Sequence, residues 1–202
     1  NDSGFMPIAK GNVFTGSYNG KGYSIQELYI NRPGIKFLAL FEWVGSNSKI
    51  DSLSVTNVNI SGTDMYGGGV AGVNDGTINH CSASGSVSGN ESIGGLVGAN
   101  YGTIKNSFST CTVNAQGSPS YSGGLAGFSH DTIKNCYSTG DVSGKDHLGG
   151  LTSINGGNII NCYSKGNVSG DSIIGGLVGW NHKAEIINSY STGTVTGNKK
   201  TG

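Results

Sequence analysis

The chain has 202 residues, of which 37 are Gly, 3 are Pro and only 12% are charged, and its 12 acidic side chains balance its 12 basic ones. This balance provides no basic surface for nucleic acid or for an anionic membrane, so we expect no nucleic-acid partner. No apolar run approaches the roughly 18 residues that a membrane-spanning helix needs, so we expect no membrane span in this chain.

The first segment, residues 1–46, lacks the regular pattern of the later chain. Residues 14–23 within it are rich in aromatic side chains and in Gly and Asn, which favour turns. We therefore expect residues 1–46 to form a lead-in coil or partial cap that is continuous with the repeats after it, so that the whole chain is one structural domain.

Residues 47–202 carry an internal repeat anchored on pairs of Gly. The pairs begin at Gly68, Gly94, Gly123, Gly149 and Gly175, so they are separated by 26, 29, 26 and 26 residues. A period of this length is typical of proteins that stack one structural unit on the next.

Between the Gly pairs the sequence favours short β-strands. Apolar runs are short, Val, Ile, Thr and Tyr are frequent, and Gly or Asn interrupts every run. Equivalent strands of successive units would lie parallel, about 4.8 Å apart, and be joined by right-handed crossovers. The sequence thus predicts an all-β fold, a right-handed parallel β-helix (β-solenoid) with about 26 residues and about three strands per coil and roughly six coils.

Side-chain alternation along a strand predicts which residues face the interior. Counting back in twos from Val142 places Cys136 inside and Tyr137 outside. Ile133 should also face inward, which requires the alternation to break at Asn135, a residue type that tolerates a left-handed bend.

Two columns of Asn recur in step with the Gly pairs, and we expect the amide groups of each column to stack. The first column is Asn106, Asn135, Asn161 and Asn188, and the second is Asn74, Asn100, Asn155 and Asn181, with Ser129 in the remaining coil.

Cysteine occurs at a repeat position where every coil has a small residue. Cys81, Cys136 and Cys162 share one column, in which other coils have Ser. Cys136 and Cys162 belong to adjacent coils at a backbone spacing that a disulfide accepts, but parallel side chains suit its dihedral angle poorly. We expect buried free thiols, with a Cys136–Cys162 disulfide as the alternative.

The repeats resemble a known family. Residues 94–98 and 175–179 both read Gly-Gly-Leu-Val-Gly, and each is followed by an Ile-x-Asn-Ser-aromatic-Ser segment. This pattern is similar to the GLUG repeat of bacterial surface proteins. The resemblance implies a bacterial cell-surface or secreted protein, commonly an adhesin, with this chain joined to other modules of a larger surface protein. GLUG repeats also accompany the catalytic part of immunoglobulin-cleaving metallopeptidases.

The motifs of metallopeptidase chemistry are missing from the sequence. A zinc metallopeptidase needs a His-Glu-x-x-His helix, and no such string occurs. His130 and His182 occupy one repeat position but stand two coils apart, nearly 10 Å, too far to share a metal ion. We therefore expect a non-enzyme with no catalytic residue, no metal site and no cofactor.

A carbohydrate-active β-helix enzyme, of the polysaccharide lyase or hydrolase type, is the alternative function. Such enzymes need carboxylates close together. Glu91, Asp146 and Asp171 precede the Gly pairs and could align loosely along one edge.

An aromatic column is the candidate binding site. Phe108, Tyr137, Tyr163 and Tyr190 follow the Cys/Ser position in four coils and should point outward. Exposed aromatic side chains supply apolar area and a polar group for a host or extracellular glycan or protein. The alternative is that they only stabilise the stack, by about 0.2–1 kcal/mol per pair. We predict a non-catalytic, extracellular module for adhesion, or a glycan- or protein-binding spacer.

Overall fold

The computed structural model describes residues 3–198, in which it contains 29 strands and no helix. The first strands are β1 (Ser17–Asn19), β2 (Ser24–Gln26), β3 (Tyr29–Leu38), β4 (Phe41–Val44), β5 (Lys49–Asp51), β6 (Ser54–Gly67), β7 (Ala71–Asn74), β8 (Thr77–Asn79), β9 (Ser82–Gly89), β10 (Ser92–Ile93), β11 (Val97–Asn100), β12 (Thr103–Lys105), β13 (Phe108–Ser109), β14 (Thr112–Ala115) and β15 (Ser122–Gly123). The remainder are β16 (Ala126–Ser129), β17 (Ile133–Lys134), β18 (Tyr137–Ser138), β19 (Val142–Ser143), β20 (Asp146–Gly149), β21 (Thr152–Asn155), β22 (Ile159–Ile160), β23 (Tyr163–Ser164), β24 (Val168–Gly170), β25 (Ser172–Gly175), β26 (Val178–Asn181), β27 (Ile186–Ile187), β28 (Tyr190–Ser191) and β29 (Val195–Gly197).

The strands form four sheets that run along the stack of coils. The glycine sheet has the order β4-β7-β11-β16-β21-β26, and the isoleucine sheet has the order β1-β5-β8-β12-β17-β22-β27. The tyrosine sheet has 13 strands, with β28-β23-β18-β13-β9-β14-β19-β24-β29 as its main path, and the short sheet is β15-β20-β25. Neighbouring strands in each sheet are parallel.

This topology confirms the predicted β-solenoid. Strands that pair come from successive coils, as in the pairing of Ile104 with Ile133 and of Ile133 with Ile159. The six strands of the glycine sheet mark about six coils. No helix long and apolar enough to cross a membrane occurs in the described part of the chain.

The number of strands per coil differs from the expectation of about three. The coil over residues 97–123 contains five short strands, β11 to β15. Two of them, β13 and β14, lie in the same sheet and are separated by Thr110 and Cys111. A break between Ser109 and Thr112 therefore divides what the sequence suggested as one strand.

The interior agrees with the predicted side-chain alternation. Val142, Cys136 and Ile133 are buried, whereas Tyr137 is only partly buried. Asn135 has a backbone φ of 54°, which is the predicted left-handed bend. The same bend occurs at the other members of its column, with φ between 48° and 53° at Asn106, Asn161 and Asn188.

The Gly pairs are required by close packing inside each coil. A Cβ atom on Gly124 would lie 2.9 Å from Cβ of Ser138, and one on Gly69 would lie 2.6 Å from Cβ of Ala83. Real Cβ atoms do not approach so closely, because protein interiors are already packed as densely as organic crystals. The second Gly of each pair therefore leaves room for the small inward residue of the tyrosine sheet.

The strands of residues 17–44 join the same sheets as the later repeats. Ser17 pairs with Lys49 in the isoleucine sheet, and Ile25 pairs with Val55 in the tyrosine sheet. The ring of Phe41 contacts aromatic rings of this first segment, with centroid distances of 5.1 Å to Phe14 and 5.5 Å to Tyr18. The sequence analysis divided the chain into residues 1–46 and residues 47–202. Residues 1–2 of the first range and residues 199–202 of the second lie outside the described residues.

Candidate functional site

The predicted binding residues lie in one column of the tyrosine sheet, which we call the aromatic strip: Phe108, Tyr137, Tyr163 and Tyr190. The strand register pairs each ring with the next one along the stack. Successive ring centroids are 4.7, 4.9 and 5.4 Å apart, with interplanar angles of 3°, 0° and 12°. The four rings therefore form one continuous parallel stack.

The rings face outward because the next residue of each strand faces inward. Ser109, Ser138 and Ser164 are all 0% exposed. Tyr190 is 52% exposed at the end of the strip, and the other three rings are partly buried. Since each ring covers the faces of its neighbours, the strip presents mainly ring edges and Tyr hydroxyl groups to solvent.

The surroundings of the strip favour the neutral form of the Tyr137 hydroxyl group. Burial, together with the neighbouring Tyr163, raises the pKa of Tyr137 above its ordinary value. Lys165 Nζ lies 5.2 Å from the centroid of the Tyr163 ring, a cation–π distance. The Tyr137 hydroxyl group can thus donate and accept hydrogen bonds without carrying a negative charge.

The first Asn column holds the strip in register. The Nδ2 groups of Asn106, Asn135, Asn161 and Asn188 each donate to Oδ1 of the preceding member, at 2.9, 3.0, 3.2 and 3.3 Å. The predicted column of four is thereby confirmed, and Asn79 extends it as the first acceptor. Each of the four stands two residues before a ring of the strip, so the amide ladder and the ring stack share one spacing.

The second Asn column is interrupted at Ser129. Asn74 donates to Asn100 at 2.7 Å, and Asn100 donates to the Ser129 hydroxyl at 2.9 Å. That hydroxyl then donates to the backbone carbonyl of Asp131 at 2.8 Å, so the expected continuous stack is wrong at this coil. The shorter Ser side chain bonds locally instead of reaching Asn155, and the ladder resumes only beyond it.

The three carboxylates predicted to align do not form one row. Asp146 pairs with Ser172 of the next coil, whereas the backbone N–H of Asp171 bonds to the carbonyl of Lys145. Asp171 is therefore displaced by one residue from the row of Asp146. The Asp146 carboxylate accepts hydrogen bonds from the hydroxyls of Ser118 and Ser172. It acts as a link between coils.

The remaining polar candidates are dispersed. His130 and His182 are both exposed. Within residues 3–198, no group of three or more His, Cys, Asp or Glu is placed to hold a metal ion.

All four Cys residues are buried free thiols. Burial raises the pKa of Cys81 to about 11 and that of Cys111 to about 12. The backbone N–H of Cys136 donates to Sγ of Cys162 at 3.4 Å. The thiols are thus part of the interior packing and hydrogen bonding.

A second aromatic surface was missed by the sequence reasoning. This aromatic cluster, on the outer side of the glycine sheet, consists of Phe37, Trp43, Tyr66, Tyr101, Phe128 and His130. Neighbouring rings are in contact, with centroid distances from 5.3 to 6.3 Å. Its members belong to several columns that are only partly aromatic, so no regular aromatic repeat marks them in the sequence. The signal that reveals the cluster is the strand register. It places Trp43 and Phe128 in one column, separated by Val73 and Ala99, and it pairs Phe37 with Tyr66.

Comparison with protein families confirms the resemblance in sequence. Three segments match the GLUG motif, residues 89–114, 118–143 and 170–196. The aromatic strip includes members from all three segments, because Phe108, Tyr137 and Tyr190 lie within them.

Two curated proteins are similar to parts of the chain. Halomucin of Haloquadratum walsbyi is 42% identical over 97 residues, which cover 47% of this chain and 1% of that protein. A "Putative Gly-rich membrane protein" of Evansella cellulosilytica is 36% identical over 82 residues, which cover 39% of this chain and 10% of that protein. The chain therefore spans a small fraction of the length of either relative.

A solved structure has the same fold. The crystal structure of "a putative immunoglobulin A1 protease from Bacteroides ovatus" superposes with a TM-score of 0.73, covering 90% of this chain and 62% of that chain. At 23% sequence identity, this likeness shows the fold alone.

Proposed function

We propose that the chain is a non-catalytic module of a cell-surface or secreted repeat protein, and that the aromatic strip is its contact surface for an extracellular glycan. The observation that carries the proposal is the unbroken outward stack of Phe108, Tyr137, Tyr163 and Tyr190, held in register by the Asn ladder. The GLUG motifs, and relatives named as Halomucin and as a membrane protein, support a place at the cell surface.

The geometry of the strip favours a glycan over an extended peptide. Tyr137, Tyr163 and Tyr190 repeat one hydroxyl group per coil, at about 4.8 Å. A polymer whose own hydroxyl groups recur at a similar spacing can accept and donate hydrogen bonds along the whole row of Tyr hydroxyl groups. Because the ring faces are stacked on one another, we expect recognition by hydroxyl groups and ring edges, with a face available at the end ring Tyr190.

The carboxylates lend no support to the carbohydrate-active alternative. Asp146 is engaged by two Ser hydroxyls, and Asp171 is out of row with it. A glycosidase needs two carboxyl groups that face each other across the scissile bond. We therefore infer binding without cleavage for this chain, and other modules of a larger surface protein would supply any further activity.

The test is glycan binding by the double variant Tyr137→Ser with Tyr163→Ser. Binding of wild-type protein on a glycan array should be lost in this variant, because the variant removes the two central hydroxyl-bearing rings. Tyr23→Ser is the matched control, since Tyr23 is 77% exposed and lies outside the strip. Unchanged glycan binding with a lowered melting temperature would show that the strip only stabilises the stack. Release of reducing sugar from a bound glycan would contradict the non-catalytic assignment.

A further inference from the structure

One edge of the aromatic cluster combines an indole, a carboxylate and a phenol. The Nε1 group of Trp43 donates a hydrogen bond of 2.8 Å to Oδ2 of Asp75. Asp75 and Tyr101 occupy equivalent positions in successive coils, because their backbone N–H groups bond at 2.8 Å to the carbonyls of Val44 and Asn74 respectively. Val44 and Asn74 are themselves paired in the glycine sheet. The Tyr101 ring therefore follows the Asp75 carboxylate by one coil, about 4.8 Å.

The ring of Tyr101 has one covered face and one open face. His130, of the following coil, stacks on the ring with a centroid distance of 5.6 Å and an interplanar angle of 13°. The opposite face is consequently turned toward the preceding coil, where Asp75 lies. Tyr101 is 46% exposed, so about half of its surface is open to solvent.

The carboxylate at this edge has an oxygen available. Within residues 3–198, the one hydrogen bond to the Asp75 side chain is that from Trp43 to Oδ2, which leaves Oδ1 without a donor. Partial burial and the negative charge of Asp75 raise the pKa of Tyr101, so the phenol stays neutral and its ring face remains electron-rich. The site thus offers a negative charge and an aromatic face to the same incoming group.

A guanidinium group fits this combination better than other common groups. Its plane stacks on an aromatic face, while its N–H groups donate to a carboxylate beside that face. A Lys ammonium lacks the planar surface, and a neutral sugar would leave the Asp75 charge unmatched. Hydrogen bonds between ionised partners are also about twice as strong as neutral ones.

We propose that Trp43, Asp75 and Tyr101 form a binding site for an arginine side chain of a partner protein. The site lies on the glycine sheet and uses none of the residues of the aromatic strip. It is therefore a second contact surface, independent of the proposed glycan surface.

The test uses the fluorescence of Trp43 as its reporter. Trp180→Phe removes the other of the two Trp residues, and all measurements are made in this background. Titration with a short peptide that alternates Gly and Arg should produce a saturable change in fluorescence that weakens as salt is added. Asp75→Asn keeps a side-chain oxygen for Trp43 but removes the charge, and should weaken binding about tenfold. Tyr101→Ser should weaken binding as well.

The control is Glu185→Gln, which removes one exposed negative charge away from the cluster and should leave the affinity unchanged. Equal affinities of Asp75→Asn and its parent protein would overturn the proposal. So would equal binding of a peptide in which Gln replaces Arg, and a fluorescence change with a neutral oligosaccharide alone would assign the surface to glycan instead. Glycan binding by the strip is tested with variants of other residues, so a failure of one proposal does not affect the other.

Discussion

At the residue scale, Asn135 has two roles at one corner of the coil. Its backbone φ of 54° reverses the side-chain alternation, and its amide donates to Asn106 at 3.0 Å and accepts from Asn161 at 3.2 Å. Asn is suited to both, since its short polar side chain tolerates the left-handed region. The bend at Asn135 could be predicted from the sequence. Ile133 and Cys136 should both face inward although they are an odd number of residues apart, so the side-chain alternation must break between them.

Val168 and Asn167 provide a direct test of the inward and outward assignment. Val168 is 1% exposed and Asn167 is exposed. Val168→Asp would bury an unpaired charge and should lower the free energy of unfolding by about 4 kcal/mol. Asn167→Asp should change it little, because an Asp oxygen can still accept the N–H of Thr194, as Asn167 Oδ1 does at 3.0 Å. Urea denaturation measures both, and equal losses would show that the assignment is wrong.

Asp51 should make part of the stability dependent on pH. The Lys49 ammonium, with hydrogen bonds from Ser52 and Asn79, lowers the pKa of Asp51 from 3.8 to about 2 against the opposing effect of burial. Because the folded pKa lies below the unfolded one, the contribution is complete above about pH 4 and is lost as the pH falls toward 2. The drop in melting temperature between pH 5 and pH 2 should be smaller for Asp51→Asn than for wild type. Identical drops would contradict the role of this ion pair.

At the element scale, the Gly pairs and the small inward residues of the tyrosine sheet specify each other. The second Gly of a pair lies against an inward Ser or Ala, as Gly124 lies against Ser138. The repeat therefore encodes a contact between two sheets as well as a turn. Sequence reasoning located the Gly pairs, but it did not identify this contact, because the contact joins strands of different sheets.

Gly124→Ala tests the close packing around the second Gly of a pair. The added methyl group would collide with the backbone oxygen of Gly150 in the next coil and would lie 2.9 Å from Cβ of Ser138. Overpacking of this kind destabilises proteins by about 1–3 kcal/mol. Gly16→Ala is the matched control, because the nearest atom to its added Cβ would be 3.7 Å away. Thermal unfolding should show a clear loss for the first variant and little change for the second. Equal melting temperatures for the two variants would contradict this interpretation.

At the scale of the whole molecule, one period of sequence generates four sheets and two outward aromatic surfaces. The aromatic strip could be predicted because its members recur at one repeat position. The aromatic cluster could not, because its columns are only partly aromatic. Trp43 and Phe128, for example, share a column but are separated in it by Val73 and Ala99. The Arg site at Trp43 and Asp75 depends in the same way on register between coils.

The coils should differ in local stability. Strands β26, β27, β28 and β29 lie at the ends of their sheets, and Ile186 is 39% exposed where its partner Ile159 is 0% exposed. Edge strands with exposed apolar residues open at lower free energy than interior ones. In hydrogen exchange, peptides from residues 178–197 should therefore exchange before those from residues 97–115. The opposite order would contradict the sheet order described here.

The central claim is that the aromatic strip contacts a glycan, and ring-specific NMR tests it most directly. With Tyr rings isotopically labelled, addition of a glycan selected on the array should perturb the signals of Tyr137, Tyr163 and Tyr190. The signals of Tyr23 and Tyr101, which are exposed but lie outside the strip, should remain unchanged. A change in the signals of Tyr101 or Tyr23, without a change in those of the strip, would contradict the claim.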